Sequence, residues 1–172
     1  MTATRILLAP GASGNPRQLG PHAAGLRERG YEVDIVSLPK GTVERAMPVY
    51  RDAIGDDPAG VVTGGQSFGG RVASLLAVES SPAALVLFAY PLHAPGRHEA
   101  WDDRTAHWPR ITAPVLLLSG ESDPFARIDL LREAVKRLPN GTLVTYPGVG
   151  HGVGPVIDRA LDEADAFVRT NT

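Results

Sequence analysis

The residues in this chain that could do chemistry are a serine, an aspartate and a histidine, spread over 85 positions. Ser67 sits in Gly65-Gln66-Ser67-Phe68-Gly69, a G-x-S-x-G pentapeptide. Asp123 lies in Gly120-Glu121-Ser122-Asp123-Pro124, and His151 in Gly148-Val149-Gly150-His151-Gly152. A free serine hydroxyl is a poor nucleophile and needs a neighbouring base. An imidazole titrates near neutrality, so His151 can take the serine proton and return it to a leaving group. A carboxylate behind the imidazole holds its tautomer and stabilises its charged form, the role expected of Asp123. Together these are the parts of acyl transfer through a covalent serine intermediate. Each residue also has a plainer reading. Ser67 could lie in an ordinary tight turn, Asp123 could cap the helix that follows, and His151 could be an exposed turn residue. Glu121, two residues before Asp123, is a rival acid.

The elements around these residues supply a context for the chemistry. Val61, Val62 and Thr63 form a β-branched run before Ser67, and Val72, Leu75, Leu76 and Val78 follow at helical spacing. A sharp strand-to-helix corner between them would force the serine into strained backbone angles and aim the free N–H of Phe68 at developing negative charge. Acyl transfer needs a second donor near the same oxygen. The loop Pro10-Gly11-Ala12-Ser13-Gly14-Asn15-Pro16 is placed to supply it, through Ala12 or, failing that, Ser13.

In chain order the sequence predicts strands over 5–9, 31–38, 84–90, 114–119 and 142–146, with the strand signalled by 61–63 between the second and third of these. Helices are predicted over 16–29, 43–54 with an interruption at Pro48, 124–138 and 155–169, and the helix after the Ser67 corner is ended by Pro82. Six strands alternating with helices imply one α/β domain over residues 1–172 with a mostly parallel sheet. All three candidate residues then leave the carboxyl ends of strands, where open sheets of this class place their sites. Residues 91–112 differ from the rest, being rich in proline, histidine and tryptophan. They read as a long mobile loop with one short helix near 98–107. Trp101 and Trp108 are expected to shape a substrate pocket, with any one of His93, His98 and His107 able to line it and His93 taken as the candidate. His22 falls in a predicted helix, where a surface position is expected. Arg71 opposes the dipole of the helix after Ser67 and is expected to pair with a carboxylate from 91–112 or to hold an acidic substrate group.

Composition excludes several classes. The 172 residues are 43% hydrophobic and 21% charged, with net charge −2 and no cysteine. That balance suits a globular protein and carries no polyanion-binding signature, so no nucleic-acid partner is expected. Disulfides and cysteine-bound metals are excluded, and the histidines show no metal-ligand spacing. No cofactor is expected: the glycines near His151 lack dinucleotide-binding spacing, and there is no phosphate-binding loop. The first apolar run is too short for a signal peptide and no run approaches a membrane span, so the expected location is cytoplasmic. The oligomeric state, monomer or dimer, is left open.

The quoted segments resemble a known group. LLAPGASGN, GGQSFGGR, AYPLHAPGR, SGESDPF and GVGHG are similar to those of small α/β-hydrolases of the KANSL3/Tex30-like, dienelactone-hydrolase-related family. The resemblance implies a three-layer sandwich of strand order 2-1-3-4-5-6, lacking a cap domain and the first two strands of larger members. It implies a serine hydrolase using Ser67, His151 and Asp123 on a small-molecule acyl substrate. Two departures bear on the site. Pro10 and Ser13 stand where the family has histidine and glycine, and Gln66 stands where arginine is common, which places Ser13 and Gln66 at the pocket wall. Some relatives serve in larger assemblies, so a non-catalytic interaction module on the same scaffold is the rival expectation.

Overall fold

The apolar runs become six strands whose side chains alternate between two buried faces. In the computed structural model, which describes residues 3–172, the elements are β1 (Arg5–Ala9), α1 (Gly20–Glu28), β2 (Glu32–Ile35), α2 (Val43–Ile54), β3 (Val61–Gln66), α3 (Phe68–Ser80), β4 (Ala84–Phe88), α4 (Trp101–Thr105), β5 (Val115–Gly120), α5 (Ile128–Val135), β6 (Gly141–Tyr146) and α6 (Ile157–Asn171). The first two positions of the expected 1–172 domain lie outside the described residues. The strands form one sheet of order β2-β1-β3-β4-β5-β6, and every neighbouring pair is parallel. This is the three-layer sandwich and strand order that the resemblance implied. Between β4 and β5, where a cap could be inserted, there are only short helical segments.

Period-two alternation sorts the core. Leu7, Leu76, Leu85, Leu117 and Leu131 pack on the face covered by α2, α3 and α5. Ile6, Leu8, Leu26, Phe88 and Leu161 pack on the face covered by α1 and α6. Tyr50 of α2 pins the sheet just before the Ser67 corner. Its buried hydroxyl accepts from Gly64 N–H (3.0 Å) and lies 2.7 Å from the Leu7 carbonyl.

Several boundaries differ from the sequence expectations. Strand β2 is half the expected length. It is an edge strand, held on one side only, and after Val36 N–H reaches Leu8 O (2.8 Å) the chain leaves the sheet. Helix α2 runs unbroken through Pro48. Pro48 and Glu44, whose carbonyl loses its donor, both lie on the exposed face, where water replaces the missing bond. Residues 124–127 are not helical, because side chains claim their N–H groups: Phe125 N–H donates to Asp123 Oδ1 (2.8 Å) and Arg127 N–H to His93 Nε2 (3.0 Å). Residues 91–112 are not a loose loop: Leu92, Trp108 and Ile111 join the core on the α2, α3 and α5 face, and His93 and Trp108 are at 0% exposure. Among the described residues no helix is long and apolar enough to cross a membrane.

Candidate active site

Strand β3 delivers Ser67 through a corner that only its glycines permit. Ser67 has φ 50° and ψ −117°, a conformation that L-residues seldom adopt, while its N–H still donates to Phe88 O (2.9 Å). The end of β1 presses against this corner. A Cβ on Gly69 would lie 2.2 Å from Ala9 O, and one on Gly65 2.4 Å from the same oxygen. Neither position can hold a side chain, and that close packing fixes where the serine points.

The acid and the base arrive on two loops that grip each other. A Cβ on Gly120 would lie 2.1 Å from Val149 O. Ser122 N–H donates to Val149 O (2.9 Å) and Glu121 N–H to Tyr146 O (3.0 Å). These contacts bring Asp123 behind His151. His151 Nδ1 lies 2.8 Å from Asp123 Oδ2, and His151 Nε2 lies 2.9 Å from Ser67 Oγ. The Asp123 carboxylate only accepts, so Nδ1 carries the ring proton and Nε2 is free to accept from the serine hydroxyl. The Asp123 side chain is fully buried while that of His151 keeps 24% exposure. Phe125 lies against the imidazole with ring centroids 4.5 Å apart. Glu121 is engaged elsewhere, accepting from Thr145 Oγ1 (2.7 Å) and facing Arg132. Asp123 does not cap α5, which begins five residues later at Ile128.

Phe68 opens α3, so its N–H has no partner within the helix. Ala12 and Ser13 are the two central residues of an exposed turn closed by Gly14 N–H to Gly11 O (2.9 Å). Among the described residues the Ala12 N–H has no hydrogen-bond partner. The Ser13 hydroxyl accepts from Asn15 N–H (3.2 Å), so it serves its own loop rather than a pocket.

The recess beside this trio opens on an unexpected side. A cavity of about 410 Å³ is bounded by Gln18, Pro21, His22, Gln66, His151 and Gly152, with the loop into α6 closing it. Gln66 therefore borders the site, whereas His93, Trp101 and Trp108 do not. Trp108 packs edge-on against Tyr90 (5.0 Å) inside the core, and Trp101 lies under the Arg137 guanidinium (4.3 Å). His93 spends both ring nitrogens on backbone, Nδ1 toward Ala94 O (2.9 Å) and Nε2 accepting from Arg127. It braces the segment carrying Phe125. A larger recess of about 760 Å³ lies at the amino ends of β5 and β6, away from Ser67.

His22 is the residue the sequence reading misplaced. It is 5% exposed and sits edge-on to Phe88 (4.8 Å), and burial pushes its pKa down to about 4. The signal was available: Leu19, His22, Ala23 and Leu26 share one helical face. Arg71 does not make the first of its two expected contacts, a pair with a carboxylate of 91–112. Among the described residues its guanidinium has no ion pair, and Asp102, on the segment expected to supply the partner, binds Arg137 instead (2.5 Å). Burial lowers the pKa of Arg104, with the charge of Arg71 adding to the effect. His107 is lowered to about 4 by burial first, then by Arg71 and Arg110.

A family model described as "Alpha/beta hydrolase domain" matches residues 40–167, which include Ser67, Asp123 and His151. The chain belongs to this family. Solved structures similar to this α/β-hydrolase include a monoacylglycerol lipase from Paleococcus ferrophilus (16% identity, 99% of this chain and 96% of that one, TM-score 0.81). A dienelactone hydrolase from Anabaena variabilis is also similar (20% identity, 99% and 87%, TM-score 0.79). At these identities the likeness is one of fold. A non-heme chloroperoxidase from Burkholderia pyrrocinia is 46% identical over 52 residues, which are 30% of this chain and 19% of the peroxidase. The match thus spans about a fifth of that relative.

Proposed function

We propose that this α/β-hydrolase is a serine hydrolase that cleaves a carboxylic ester or related acyl bond of a small molecule, working as one domain without a cofactor. The reading rests on the unbroken path Ser67 Oγ, His151 Nε2, His151 Nδ1, Asp123 Oδ2, with links of 2.9 and 2.8 Å. Ser67 attacks the carbonyl carbon as its proton passes to His151. Phe68 N–H and Ala12 N–H donate to the resulting oxyanion. The tetrahedral intermediate collapses, the bond to the leaving oxygen breaks, and His151 hands that oxygen the proton. Water then repeats the cycle on the acyl-enzyme, releasing the acid and restoring Ser67. Within the family, the motifs quoted above support a place in the KANSL3/Tex30-like group related to dienelactone hydrolases.

A fluorophosphonate probe tests the reading. It is expected to label the wild-type protein at Ser67, and Ser67→Ala is expected to abolish labelling. A folded protein that takes up no label would instead favour a non-catalytic module on the same scaffold.

A further inference from the structure

The histidine of the AYPLHAPGR segment is a buried polar group that the mechanism does not use. His93 is 0% exposed and grips residues 125–127 at two points. Its N–H donates to Phe125 O (3.0 Å), and its Nε2 accepts from Arg127 N–H (3.0 Å). Nε2 therefore carries no proton, and Nδ1–H donates to Ala94 O (2.9 Å). The segment held this way touches both the acid and the base. Phe125 N–H donates to Asp123 Oδ1 (2.8 Å), which leaves Oδ2 for His151 Nδ1 (2.8 Å). The Phe125 ring lies against the imidazole, with centroids 4.5 Å apart and planes inclined by 36°.

The base needs such support. His151 stands between Gly150 and Gly152, with Gly152 at φ 107°, so its own backbone restrains it little. Its side chain keeps 24% exposure, so part of the ring already meets solvent. Its orientation has to come from what the ring touches, which is Asp123 at one edge and Phe125 at its side. We infer that Phe125 is a positioning residue for acyl transfer and that His93 acts through it, so that together they hold carboxylate and imidazole on the line to Ser67. Without the Phe125 ring the imidazole gains room to turn away from Ser67 Oγ, and a misplacement of about 1 Å at such a site costs about 10²-fold. Without the His93 acceptor, Arg127 N–H is left unpaired and the turn that carries Phe125 slackens. The inference rests on the serine-hydrolase reading above.

Turnover of p-nitrophenyl butyrate tests it, with kcat and KM read separately and folding checked by circular dichroism. Phe125→Ala is expected to lower kcat by about 10–100-fold, with KM within about threefold of wild type. Phe125→Tyr, which keeps a ring against the imidazole, is expected to hold kcat within about threefold of wild type. His93→Leu is expected to lower kcat about tenfold, and His93→Gln, whose amide oxygen can accept from Arg127 N–H, to recover most of that loss. The losses are not expected to multiply. The double variant of Phe125→Ala with His93→Leu should be slower than Phe125→Ala alone by no more than about twofold. Should His93→Leu not fold, Phe125→Ala and Phe125→Tyr, at a half-buried position, decide the matter. A folded Phe125→Ala with wild-type kcat overturns the inference. So does a loss confined to KM, which would make Phe125 a substrate contact only, a Phe125→Tyr as slow as Phe125→Ala, or losses that multiply. Fluorophosphonate labelling is read in parallel. Labelled wild type with kcat unchanged in Phe125→Ala defeats this inference alone, whereas unlabelled wild type with no ester turnover defeats the hydrolase reading and this one with it.

Discussion

Two stretches of chain flank Ser67, and the recess lies against the one whose sequence did not announce a pocket. Residues 91–112, with two tryptophans and three histidines, look like a pocket wall. They are instead a wedge of core, with His93 and Trp108 at 0% exposure and His107 at 6%. The glycine-rich loop 148–154 reads only as the carrier of His151 and α1 as a surface helix, yet together they enclose the recess beside His151. The difference follows from size. Large aromatic rings gain most from leaving water, so a chain with room to bury them does so. A cavity persists where side chains are too short to fill it.

Four measurements would break or sharpen this contrast. His151→Ala is expected to lower kcat by about 10³–10⁶ with the fold retained; near-normal esterase turnover would remove the glycine-loop side from the chemistry. On the other side, Trp108→Ala should act on stability, by about 3–5 kcal/mol for a fully buried aromatic. It is read as a lower urea midpoint, with KM little changed in the folded fraction. A Trp108 variant of normal stability and altered KM would restore the pocket-wall role.

Acid should reveal one histidine on each side. His22 and His107 both titrate near 4 in the fold, against 6.5 for an unperturbed histidine. Between those values the unfolded chain binds protons that the folded chain refuses. Their stabilisation is therefore whole above pH 6.5 and is lost as pH falls toward 4. The urea midpoint should drop across that window, and His22→Phe and His107→Phe should each flatten part of the drop. A midpoint independent of pH there would show that neither ring is held neutral. The smallest effect is steric. Ile157→Trp, at the recess, should lower kcat/KM about tenfold for esters of bulky alcohols, through overpacking of the space. Trp101→Ala, outside it, should change kcat/KM by less than about twofold. Equal effects from the two would erase the distinction between the regions.

The parts that were legible in the sequence are those set by local pattern. The bounds of β1, the Ser67 corner and the striped C-terminal helix follow from side-chain periodicity and turn chemistry within a few residues. Boundaries failed where a distant group intervened. The amides of 125 and 127 are taken by Asp123 and His93, and the carbonyl freed by Pro48 happens to face water. Such outcomes depend on which surface a segment meets, and spacing along the chain carries no record of that.

By itself, then, the amino-acid order determined the alternation of strands and helices, the glycine corner around Ser67 and the candidacy of Asp123 and His151. Only the tertiary structure decided that Asp123 rather than Glu121 stands behind the imidazole, that His22 is buried beside it and that the tryptophans are not part of the opening. The reason is physical. A residue's type states what it can bond to, but burial and distance, which select among those bonds, exist only once the sheet has brought remote loops to one edge.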